Sequence, residues 1–80
     1  MDEATELRRR ACRWRQMSEV TRAEVGVLRT VGPLTWRGES AAAFREVLAR
    51  RVRELAELAA REDAVADLLD RLAVAAEQAA

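Results

Sequence analysis

The feature that constrains this fold most is the spacing of its apolar and small residues. They recur at alternating steps of three and four positions along two long stretches, which are separated by one short break. Such spacing places side chains along one side of an α-helix, as in coiled coils. The break contains Pro33, which disfavours helix at the residue before it, and Gly32, which suits the position just past a helix end. The pattern therefore predicts two helices joined by a bend.

The predicted helices cover residues 4–30 and 40–78, with a turn at 31–39, and Asp2 or Thr5 is the candidate cap of the first helix. The first apolar stripe consists of Leu7, Ala11, Trp14, Ser18, Thr21, Val25 and Leu28, and is widened by Met17, Val20, Val27 and Val31. The second consists of Phe44, Leu48, Arg51, Leu55, Leu58, Glu62, Val65, Leu69, Leu72 and Ala76. Because a short connection favours antiparallel packing, residues 1–80 are predicted to form one all-α domain, an antiparallel two-helix hairpin.

The unequal helix lengths and the charges predict a register for this hairpin. At 1.5 Å per residue the second helix is about 20 Å longer than the first, so its last dozen or so residues are expected to lack a partner within the chain. That end is acidic and is a candidate docking site, with Asp67, Asp70 and Glu77. The first helix carries a basic cluster of Arg8, Arg9, Arg10, Arg13 and Arg15, expected to lie beside Glu54, Glu57, Glu62 and Asp63.

The apolar stripes are wider than the line along which two helices touch. A chain of 80 residues buries only ~60% of its extended surface and is marginal without a staple or a partner. We therefore expect the hairpin to dimerise into a four-helix bundle. The predicted dimer interface consists of Leu7, Trp14, Val25, Leu28, Phe44, Leu48, Leu55, Leu58, Val65 and Leu69. Two polar residues interrupt the second stripe, Arg51 and Glu62, which either reach water at the bundle edge or select the partner.

The composition argues against several classes of function. The chain has no His and one Cys, so neither a zinc cluster nor the usual general base is available, and we expect no enzyme activity, metal or cofactor. Its net charge of zero argues against binding nucleic acid by phosphate neutralisation, although an Arg-rich helical dimer that does so remains an alternative. Neither a signal peptide nor a membrane span is recognisable. All fourteen basic residues are Arg, which is typical of GC-rich genomes such as those of actinobacteria.

The break also contains a motif found in a known family. Trp36-Arg37-Gly38 is followed by Glu39-Ser40-Ala41-Ala42-Ala43-Phe44. A Trp-x-Gly turn between two amphipathic helices, followed by small residues and Phe, resembles the WXG family of small helical hairpins, the early-secreted-antigen type of substrate for type VII (ESX) secretion. Trp36 would cap the end of the bundle by packing onto the partner, and Gly38 would permit the turn.

The resemblance implies partners and a location. Members of the family form homodimers or heterodimers and are exported folded by a membrane ATPase complex. The resemblance thus implies pairing with a second copy or a paralogous WXG-like protein, contact with a secretion component, and a location outside the cell or in the cytoplasm before export. The family's export signal is a C-terminal Tyr-x-x-x-Asp/Glu, and this sequence has no Tyr. Either a partner carries the signal, or the chain is a cytoplasmic, chaperone-like partner of a larger WXG-domain effector or toxin.

Overall fold

The computed structural model of the chain describes residues 2–31 and 38–80. Helix α1 is Glu3–Val31, with 29 residues, and helix α2 is Glu39–Ala79, with 41 residues. The two helices pack against each other, which confirms the predicted all-α helical hairpin. The predicted ranges differ from these bounds by one residue at each helix end. Most of the predicted turn, including Trp36, lies outside the described residues.

The start of α1 has a side-chain cap. Asp2 Oδ1 accepts a hydrogen bond from the Thr5 amide at 2.7 Å, which satisfies a backbone donor that the helix itself leaves unpaired. This hydrogen bond favours the charged carboxylate and lowers the pKa of Asp2. Of the two candidate caps, Asp2 is therefore the one that the structure uses.

The residue before α2 has a backbone conformation that favours glycine. Gly38 has φ +93° and ψ −165°, a region that residues with a Cβ rarely adopt. Its carbonyl accepts a hydrogen bond from the Ala41 amide at 3.1 Å and so opens the helix. A Cβ atom at Gly38 would meet nothing within 4 Å, so the backbone angle, and not crowding, explains the glycine.

Small residues fill the seam between the helices. On α1 the buried residues follow a seven-residue spacing, at Ala4, Ala11, Ser18 and Val25, with Thr21 beside them. On α2 they are Ala41, Leu55, Ala59, Glu62, Ala66 and Ala73. Small side chains at the contact allow two helix axes to approach closely. The larger apolar residues of the predicted stripes are therefore left at the sides of the seam, where most of them are half-buried.

The register differs from the predicted one. Glu77 of α2 forms an ion pair with Arg8 of α1, and Ala73 is fully buried, so the prediction that the end of α2 lacks a partner is wrong. At the other end, Leu28 lies in one groove with Leu48 and Val52. Since α2 is 12 residues longer than α1, about the first three turns of α2 therefore extend past the end of α1. The reason is the position of the carboxylates that meet the α1 arginines, described below.

The hairpin is a rod and not a globule. Its longest dimension is 63 Å, close to the ~60 Å length of a 41-residue helix, so α1 lies alongside α2. The radius of gyration is 18.3 Å, whereas a globular chain of this length would have about 12 Å. Within the described ranges, neither helix has a stretch apolar and long enough to cross a bilayer.

Candidate functional site

One edge of the hairpin carries a ladder of ion pairs between the helices. Successive pairs step by seven residues forward along α1 and seven residues backward along α2, as antiparallel helices require. The pairs are Arg8–Glu77, Arg15–Asp70 at 2.6 Å and Arg22–Asp63 at 2.6 Å. Exposed ion pairs of this kind each contribute only ~0–1 kcal/mol. Their main effect is on register, because a shift of one residue would misalign all three pairs.

The ladder changes the predicted roles of the charged residues. Of the expected carboxylate partners of the Arg cluster, Glu54 pairs instead with Arg51 of its own helix, at 3.8 Å. The acidic end of α2 is not a free docking site, because Arg15 contacts Asp67 at 3.0 Å as well as Asp70. These two carboxylates raise the pKa of the Arg15 guanidinium.

Asp63 is the most extensively bonded carboxylate of the ladder. Its Oδ2 accepts from Arg22 Nη2 at 2.6 Å, and its Oδ1 accepts from Ser18 Oγ at 2.6 Å. Both hydrogen bonds favour the charged form, so they lower the pKa of Asp63. Arg22 Nη1 also donates to Ser18 Oγ at 3.2 Å, which closes a three-residue network across the seam.

Glu62 lies inside the seam and not at its edge. Its side chain accepts a hydrogen bond from Thr21 Oγ1 at 2.7 Å, and the residue is only 5% exposed. The interpretation that places Arg51 and Glu62 at the bundle edge is therefore wrong for Glu62. It holds for Arg51, which is 57% exposed at the side chain.

The edge opposite the ladder is apolar. At about 100° per residue, Met17 and Arg22 lie on opposite sides of the line from α1 towards α2, and Leu58 and Asp63 do so on α2. We use the name apolar face for this edge together with the adjoining outer side of α1; it is defined by Met17, Val20 and Val27 of α1 and Leu58, Val65 and Leu72 of α2. Charged residues share these heptad positions, since Arg10 and Glu24 are seven residues from Met17 and Arg51 is seven residues from Leu58. Met17 is 47% exposed and Val20 is 69% exposed, although both are hydrophobic. The hairpin thus presents one charged edge and one apolar face.

The predicted interface residues divide between the seam and its sides. Val25 and Leu55 are buried inside the hairpin, at 5% and 4% exposure. Leu58 is exposed and belongs to the apolar face, as does the half-buried Val65. The remaining predicted residues are half-buried along the seam: Leu7, Trp14, Leu28, Phe44, Leu48 and Leu69.

The predicted interface omits residues that the structure makes prominent. Met17, Val20 and Val27 were expected only to widen the stripe, yet they form half of the apolar face. The ladder was also missed, although its signal is in the sequence. Arginines at 8, 15, 22 and 29 and acids at 63, 70 and 77 each repeat every seven residues.

No candidate metal site accompanies these surfaces in the part of the chain that the structure describes. Residues 2–31 and 38–80 contain no group of three His, Cys, Asp or Glu side chains placed to hold a metal ion. Cys12 is exposed and free. Comparisons with models of known protein families, with characterised proteins and with solved structures found no match to this chain.

Proposed function

We propose that this hairpin is a protein-interaction module that pairs through its apolar face into a four-helix bundle. The observation that carries the proposal is the exposure of large hydrophobic side chains on a charged rod; five of the eight exposed ones among the described residues belong to the apolar face. Exposed hydrophobic surface that is not scattered singly marks interaction sites in soluble proteins. A standard interface needs only ~800 Å² from each partner, a small share of the 5968 Å² that the chain exposes.

The experiment compares two matched substitutions in α2. Leu58→Glu puts a charge in the apolar face and should abolish association at micromolar concentration, measured by sedimentation equilibrium. Ala64→Glu puts the same charge on the outer side of α2, where the residue is already exposed, and should leave association unchanged. If the two variants associate equally well, the apolar face is not the association surface. Circular dichroism of both variants checks that the helices persist.

The module is further proposed to act in type VII secretion, either as an exported protein or as a partner that supports export. The support is the Trp36-Arg37-Gly38 motif between two helices, together with the glycine-favouring backbone of Gly38. The test is to express a tagged chain with its neighbouring genes in the native host, with and without the secretion ATPase. Export that depends on the ATPase and on Gly38 supports this role, and equal export in both strains contradicts it.

Binding to nucleic acid is less well supported. Within the basic cluster of α1, Arg8, Arg10, Arg13 and Arg15 each lie within ion-pair distance of a carboxylate. Paired guanidinium groups offer less charge for phosphate neutralisation. A gel shift with duplex DNA at low salt should therefore show no complex, and a discrete, salt-sensitive complex would favour that alternative.

A further inference from the structure

Glu62 is a buried carboxylate with incomplete pairing. Within the described residues, its one hydrogen bond comes from the neutral hydroxyl of Thr21, and it forms no ion pair there. A carboxylate removed from water costs several kcal/mol unless a cation or several donors compensate. The charged side chains next to Thr21 and Glu62 in sequence, Arg22 and Asp63, pair with each other. No buried polar side-chain atom of the described residues lacks a hydrogen-bond partner, so the second oxygen of Glu62 still reaches water. Covering that oxygen with a partner would therefore call for a basic group from outside the hairpin.

Glu62 is reached from the apolar face. Together with Thr21 it lines a groove of about 470 Å³, whose other walls are formed by Met17, Val20, Gln16 and Arg13. Met17 and Val20 belong to the surface that the proposed function places against a partner. A docked partner would therefore seal this groove and remove the remaining water from Glu62.

Arg13 supplies a basic group at the same groove. Its side chain is 60% exposed, and the ion pair that it forms with Glu6 has a long separation of 3.9 Å. In an interface between two identical copies related by a twofold axis, the same patch is used on both sides, so any contact between two residues occurs twice. A patch that holds one buried acid and one weakly paired base can complement itself in this way.

We infer that two copies of this chain dock groove to groove, and that Arg13 of each copy pairs with Glu62 of the other. The inference rests on the proposed function, since it needs the apolar face to be a dimer interface, and it names the second copy as the partner. Each reciprocal ion pair would be a polar contact at one defined position of the interface. It would thereby set how one hairpin aligns on the other, the role best attested for buried polar residues in helical bundles.

The first test uses two charge reversals on α1. Arg13→Glu brings a second carboxylate to Glu62 of the opposite copy and should raise the dimer dissociation constant by at least about ten-fold, measured by sedimentation equilibrium. Arg9→Glu makes the same change at an exposed position that forms no ion pair within the described ranges, and it should change the constant less than about two-fold.

The second test measures coupling without adding a repulsive charge. Glu62→Gln keeps an acceptor for Thr21, and Arg13→Gln keeps most of the side-chain length. Each should weaken the dimer, and the double variant should be no weaker than the more affected single variant, because both remove one interaction. Circular dichroism of each variant checks that the hairpin is folded.

The outcomes separate this inference from the proposed function. A wild-type chain that remains monomeric overturns both. A wild-type dimer that is disrupted by Leu58→Glu, but in which Arg13→Glu and Arg9→Glu act alike, overturns the pairing and leaves the apolar face. The double variant Arg13→Gln, Glu62→Gln gives a further test. If its dissociation constant rises by the product of the two single-variant increases, the two residues act independently and do not form a direct pair.

Discussion

At the residue scale, Gly38 is the position where backbone geometry restricts the side chain. Its φ of +93° and ψ of −165° fall where residues with a Cβ are strained by about 1–3 kcal/mol. Gly38→Ala should therefore lower the free energy of unfolding by about that amount, measured by urea denaturation. No new clash contributes, because a Cβ there has open space.

Gly26 provides the matched control, since it lies inside α1 and a Cβ there also meets nothing within 4 Å. Gly26→Ala should raise the free energy of unfolding by up to ~1 kcal/mol, because alanine is the better helix former. Opposite signs for the two glycines are the expected result. If both substitutions stabilise the chain, the conformation given for Gly38 is wrong.

Thr21 is predicted to matter through its hydroxyl. Thr21→Val keeps the side-chain shape but removes the donor to the buried Glu62 carboxylate, and it should cost about 1.5–3 kcal/mol of stability, the range for hydrogen bonds to charged groups. Thr30→Val removes an exposed hydroxyl that donates to the carbonyl of Gly26, and should change stability by less than ~0.5 kcal/mol. Thermal unfolding of both variants makes the comparison, and equal small effects would contradict the buried pair.

At the element scale, the ion-pair ladder could be extended by a fourth pair, because Arg29 continues the series of arginines on α1 but no acid continues the series on α2. Continuing the seven-residue steps places Arg29 of α1 opposite Ala56 of α2, which is exposed. Ala56→Glu should add a pair worth ~0.2–1 kcal/mol. Ala64→Glu is the control, as it faces away from α1. The gain in stability should largely disappear in 1 M salt, where the Debye length is only about 3 Å and exposed charges are strongly screened. A gain that salt does not affect would mean that helix propensity, and not the ladder, is responsible.

The lowered pKa of Asp63 predicts a pH dependence of hairpin stability. A carboxylate whose pKa is lower in the folded state stabilises the fold above its unfolded pKa of ~3.9, and this stabilisation is lost as pH falls through the folded value. Wild type should therefore exceed Asp63→Asn in stability at pH 6, and the difference should shrink below about pH 4. Urea unfolding at several pH values measures it. A difference that is constant down to pH 2 contradicts the contribution of Asp63.

The same element-scale features show what the sequence could and could not predict. Alternating steps of three and four gave both helices, because only one side of a helix satisfies that period. They did not say which members of the stripe lie innermost. Large residues such as Trp14 and Leu28 were expected in the contact, whereas alanines at 59, 66 and 73 allow the helices closer together and leave larger residues at the sides. Helix length alone predicted that the C-terminal end of α2 would lack a partner. The ladder sets a different register, in which the N-terminal end of α2 extends past α1.

At the scale of the whole molecule, the hairpin is a 63 Å rod with two unlike faces. Its charged edge satisfies itself through pairs within the chain, from Arg8–Glu77 to Arg22–Asp63. Its apolar face has no such internal partner among the described residues and exposes Met17, Val20 and Leu58. The sequence predicted this exposed stripe because two helices of such width cannot cover each other. The burial of Glu62 inside the hairpin was not predicted: the sequence left Glu62 either reaching water at the bundle edge or selecting the partner, since spacing does not show which polar residue loses water.

The most direct measurement is the mass of the purified wild-type chain in solution, by sedimentation equilibrium from about one to one hundred micromolar. We expect a folded species of twice the chain mass of 9.0 kDa, which dissociates only on dilution. Helicity should fall together with the dimer, since the apolar face supports the hairpin. A helical, cooperatively folded species of 9.0 kDa throughout that range would contradict the claim that the hairpin needs a partner.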